Sequence, residues 1–99
     1  MVEIKAESQE ELFEQFAEKE TVIKRSVVCS VLDVLEGKTD KAVFVMIMPA
    51  AFGLSIEKNE FLNALEKNIE IFIKNDEFEM ATRIKNWIDK IKNDPDILK

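Results

Sequence analysis

Histidine is absent from this chain. Its absence excludes His-based nucleophile triads, His-ligated zinc and the commonest general base near neutral pH. Cysteine occurs once, at Cys29. A single cysteine forms no internal disulfide and removes every CxxC-type metal site. It sets a reducing, cytoplasmic compartment as the expectation. Cys29 itself, with no base beside it in sequence, reads as a small, partly buried hydrophobe. Glycine and proline occur only twice each, too rarely for a disordered chain. Long hydrophobic runs are missing too. The longest uncharged apolar stretch, residues 42–54, is interrupted by Pro49 and Gly53, and it falls short of the roughly 20 residues a membrane span needs. The opening MVEIKAESQEE has no basic flank leading into an apolar segment, so no secretion signal is expected.

What is present describes a helix-rich globular chain. Its 99 residues fit one domain, and 46% hydrophobic content supports one core at that length. The net charge is −6, and it is skewed: residues 1–20 carry seven acids against two bases. That balance opposes nucleic-acid binding, which needs a basic face for phosphates. It fits a solvated helix surface. The triplet Gly37-Lys38-Thr39 invites a P-loop reading. The full motif needs a glycine where Leu32 stands, so the triplet reads as a turn that ends a helix. Asp33 and Glu36 are neighbours at helical spacing, but on a solvent face, where paired acids are usually inert. No calcium loop of the D-x-D-x-D-G kind occurs. No cofactor or metal is implied.

Alternation over residues 2–6 predicts a short strand. Ser8 and Glu11 form a capping box for a following helix, with Leu12, Phe13, Phe16 and Ala17 turned to the core. In residues 22–36 two signals conflict. Five valines favour a strand. Periodicity favours a helix, because Ile23, Val27, Val28, Val31, Leu32, Val34 and Leu35 fill one half of a helical wheel. Arg25, Ser26, Cys29, Ser30, Asp33 and Glu36 fill the other. Periodicity is the stronger signal, so a helix is expected, capped by Thr21 and ended by Gly37 in a left-handed conformation. Ala42–Met48 is short and apolar throughout, as a buried strand is, with residues 2–6 and 54–56 as possible partners. Methionines 46, 48 and 80 read as core filler. Ser55 is the expected cap of a helix reaching about Asn75, with Phe61, Leu62, Leu65, Ile69, Phe72 and Ile73 on one face. Asp76 and Glu79 suggest the start of a last helix that ends near Asn93. Its apolar arc holds Met80, Ala81, Ile84, Trp87, Ile88 and Ile91. The expected fold is therefore α+β and mainly helical, with a small sheet and a C-terminal antiparallel helical hairpin; an all-α fold is the alternative. One domain is expected, with an N-terminal half over 1–53 and the hairpin over 54–93.

Residues 78–88 carry a resemblance. Phe78, Glu79, Ala81 and Ile88 match, and Ile84 and Lys85 approximate, the pattern Phe-Glu-x-Ala-Ala-x-Leu-Arg-Asp-x-Ile. Thr82 and Asn86 depart from it. The segment resembles the second helix of the UVR motif of the UvrB and UvrC repair proteins. That resemblance implies a hairpin that docks against another hairpin, in a homodimer or in a partner protein. The bare physics allows the same reading, since two helices alone cannot bury both apolar faces and need a third surface, from a partner or from the N-terminal half of this chain. The expected function is a non-enzymatic interaction or regulatory module, with Phe78, Ile84, Trp87 and Ile88 as partner-binding anchors. Two alternatives stand beside it. One is a small-ligand pocket lined by Phe44, Met46, Phe52 and Phe61. The other is a small accessory or inhibitory protein acting on a host or viral target through its acidic first helix.

Overall fold

The computed structural model describes residues 1–99. It is an α+β fold, mainly helical, with four α-helices and one three-stranded sheet. The chain divides into two compact units, Met1–Ile56 and Glu57–Lys99. The sequence boundary fell three residues earlier, because residues 54–56 complete a strand of the first unit rather than open the hairpin.

In the first unit, β1 (Val2–Lys5) leads into α1 (Gln9–Glu18) and α2 (Glu20–Leu35), then β2 (Ala42–Met48) and β3 (Phe52–Ile56). The sheet order is β1-β2-β3. β1 runs parallel to β2, pairing Val2 with Val45 and Ile4 with Ile47. Parallel neighbours need a crossover, and α1 with α2 provides it. β2 and β3 pair antiparallel, and both expected partners of β2 are thus realised. The register slips between Val43 and Val45, so β2 carries a bulge with Phe44 as its extra residue. A core forms around Ile4, Ile23 and Val45, with Leu12, Phe16, Phe44, Ile47 and Leu54 packed against it.

α1 begins as its capping box predicts. The Glu11 N–H donates to Ser8 Oγ at 3.2 Å. The returning arm goes one residue further out, with the Glu7 N–H donating to Glu11 Oε2 at 3.2 Å. No residue of α1 is fully buried. Leu12 and Phe16 are half-buried, whereas Phe13 and Ala17, expected in the core, are exposed. α2 settles the conflict between propensity and period in favour of period. Ile23, Val27, Val28, Val31 and Leu32 are buried, and valine's stiffness is overridden by packing. Three details depart from the sequence reading. Thr21 does not cap the helix; Lys19 stands there without a side-chain bond. Cys29 is exposed rather than partly buried. Ser26 is buried, and its Oγ donates to the carbonyl of Phe44 at 2.7 Å. A hydroxyl on α2 therefore satisfies the bulge residue of β2. At the other end of α2, Gly37 adopts φ +77°. The Gly37 N–H donates to the Val34 carbonyl and the Lys38 N–H to the Asp33 carbonyl, the paired bonds of a Schellman ending. At the start of α2 the Glu20 carboxylate meets Lys24 Nζ at 2.8 Å. The hydrogen bond and charge of Lys24 hold Glu20 below the usual carboxylate range.

In the second unit a short 3-10 turn, Lys58–Glu60, precedes α3 (Phe61–Lys74), which is followed by α4 (Phe78–Asn93). Ser55 lies in β3 and caps nothing. α3 and α4 pack on each other as a hairpin. α3 buries Phe61, Ala64, Leu65, Asn68 and Phe72. Leu62 and Ile69 are half-buried, and Ile73 is exposed. Asn68 is tolerated on the buried face because its amide donates to the Ala64 carbonyl at 2.7 Å, one turn back. α4 buries Ala81, Ile84, Ile88 and Ile91. Lys92 Nζ reaches Glu66 Oε2 across the pair at 3.2 Å; this exposed bridge adds little stability. A final 3-10 turn, Pro95–Leu98, follows, with the Asp96 N–H donating to Asp94 Oδ1. No helix is long and apolar enough to cross a membrane.

Candidate interaction surface

The connection between α3 and α4 is short because α3 ends in the same way as α2. The Glu77 N–H donates to the Phe72 carbonyl at 2.8 Å and the Asp76 N–H to the Ile73 carbonyl at 3.2 Å. Asp76 takes the left-handed position, φ +59°. Aspartate is one of the few side chains that visits this conformation. Asp76 was expected to cap α4; instead it ends α3, and α4 starts behind Glu77 with no side-chain cap. Phe78 is 59% exposed, and Ile73, the next-to-last residue of α3, is 46% exposed.

Phe78 lines a concavity of about 450 Å³ together with Asp76, Glu77, Glu79, Met80 and Arg83. Arg83 Nη1 sits 3.8 Å from Met80 Sδ, so the guanidinium and the thioether form one side of it. The turn end of the hairpin thus combines two exposed apolar side chains with an acidic rim. Exposed large apolar groups clustered beside a hollow are the surface pattern of polypeptide docking.

The four anchors expected from sequence fall into three environments. Ile84 and Ile88 are buried in α4's packed face, so they hold the hairpin together. Trp87 is half-buried, with Lys90 Nζ 4.6 Å from its ring centroid, a cation–π contact. Phe78 alone is broadly exposed. Ile73 was missed because its helical phase placed it with the core; the end of α3 lies beyond the packed stretch. The four residues of the alternative pocket fall in different local environments. Phe44 packs on the Ile4–Ile23–Val45 core. Met46 lies over Gly53, with its Cε 3.6 Å from where a Cβ would stand. Phe52 is exposed and Phe61 is buried in the second unit. A second hollow of about 390 Å³, bounded by Lys5, Glu11, Met48 and Pro49, contains none of the four. No group of three His, Cys, Asp or Glu side chains converges in a way that could hold a metal ion.

No family model, no curated protein and no solved structure matches this chain.

Proposed function

We propose that this chain is a non-enzymatic, cytoplasmic interaction or regulatory module whose contacts run through the turn end of the α3–α4 hairpin. The observation that carries this reading is the broad exposure of Phe78 at a hollow lined also by Asp76, Glu77, Glu79 and Arg83, with Ile73 exposed near the end of the preceding helix. Burying an aromatic side chain contributes roughly 1.5–3 kcal/mol, enough to anchor a contact. The acidic rim selects against acidic partners and favours a polypeptide with an apolar side chain flanked by lysine or arginine. Such a partner is another protein or a second copy of the chain. The resemblance of residues 78–88 to a UVR-type docking helix supports the same surface, since Phe78 opens that pattern.

A displayed peptide library, selected on the intact protein and counter-selected on Phe78→Ser, tests the reading. Enrichment of peptides that pair an apolar residue with basic neighbours is the expected result. Selection that enriches no common pattern, or the same pattern on both proteins, overturns it.

A further inference from the structure

A third hollow, of about 320 Å³, lies within the first unit between α2, the loop after it and β2. Its volume is at the lower end of the ~300–1,000 Å³ range of small-molecule sites. Its polar wall is built from Ser26, Ser30 and Asp33 on α2 and from Thr39 and Lys41 on the loop.

The hydrogen bonds of this wall fix its polarity. Ser26 Oγ donates to the Phe44 carbonyl at 2.7 Å, Ser30 Oγ to the Val27 carbonyl at 2.8 Å, and Thr39 Oγ1 to the Lys41 carbonyl at 3.3 Å. A hydroxyl has one proton and two acceptor lone pairs. With every hydroxyl proton committed to backbone, all three oxygens offer lone pairs only. The half-buried Asp33 carboxylate adds further acceptors. Met1 and Lys41 also line the hollow, so its cationic groups are the Lys41 ammonium and the α-amino group of Met1. A purely anionic ligand would face Asp33 and three sets of lone pairs. A purely cationic ligand would face Lys41. The wall matches a molecule that carries both charges.

We propose that this hollow binds a small zwitterion of the free-amino-acid class. Its ammonium group meets the Asp33 carboxylate and the Ser30 oxygen, and its carboxylate meets the Lys41 ammonium. The site is separate from the hairpin surface and does not depend on the reading given for it.

Cys29 lines the same hollow, is exposed and is the sole cysteine, so its reaction with a colorimetric disulfide reagent reports occupancy. The common free amino acids are added singly, beside the N-acetyl derivative and the decarboxylated amine of any that acts. One or more free amino acids should slow the reaction of Cys29 saturably. Removing either charge of the probe should raise its half-saturating concentration about tenfold or more, as loss of a charged hydrogen bond does. Asp33→Asn and Lys41→Gln, both at positions outside the core, should do the same while leaving the melting temperature near that of the parent. Rates are compared with and without probe in each variant, so altered thiol reactivity cancels. The proposal is overturned if no free amino acid protects Cys29, if the singly charged analogues protect equally, or if neither substitution changes the protection.

Discussion

Ser26 and the two left-handed residues show how single side chains set this structure. Ser26 is buried, and its hydroxyl serves the carbonyl of the bulge residue Phe44. Ser26→Ala removes this donor to the bulge carbonyl, so it should cost about 0.5–1.5 kcal/mol in urea unfolding. Gly37 and Asp76 occupy the same position of the same helix ending, with φ +77° and +59°. A Cβ at Gly37 would meet nothing within 4 Å, so the cost of Gly37→Ala is one of backbone conformation alone, about 1–2 kcal/mol. Asp76→Gly runs the comparison in reverse and should stabilise the chain by up to about 1 kcal/mol. Opposite shifts of melting temperature in these two variants check the assignment.

Among the elements, α1 and α2 differ most. α1 buries no residue completely, while α2 buries six. Elements with few buried apolar groups open with the least free energy. Amide hydrogen exchange should therefore release α1 before α2 at a stated pH. In the hairpin, Ile84 is fully buried and Phe78 is not. Ile84→Ala should destabilise by about 2–5 kcal/mol, whereas Phe78→Ser should change the urea midpoint little. The type of each long element was legible in the sequence because period decides it, even in α2, where the valines argue the other way. N-caps were legible only where the side chain does the capping, as Ser8 does for α1. Thr21, Ser55 and Asp76 had the right chemistry for N-caps, but the chain reached them inside a helix, inside a strand and past a helix end. The bond from Ser26 to Phe44 spans 18 residues, and a wheel drawn for one helix cannot show a carbonyl offered by a distant bulge.

For the molecule as a whole, the sequence marked four residues of α4 as anchors, and only one of them, Phe78, is broadly exposed. Helical phase marks the apolar face of α4; it does not say which of those residues the partner helix already covers. α3 and α4 bury Ile84 and Ile88 and leave Phe78 outside. The hollow on α2 was illegible for a related reason, since its wall joins residues of a helix with those of the loop after it. The charge skew, strongest in residues 1–20, had pointed to the acidic first helix as a surface. Acids border exposed apolar groups both there, where Phe13 stands among Glu10, Glu11 and Glu14, and at the hairpin turn beside Phe78. The central claim is that Phe78 anchors a basic, apolar polypeptide there. Calorimetric titration of a library-selected peptide into the parent protein and into Phe78→Ser tests it most directly. The account predicts that the substitution weakens binding about tenfold or more, with the parent's affinity falling as salt rises. Equal affinity for the two proteins, with Phe78→Ser fully folded, would contradict it.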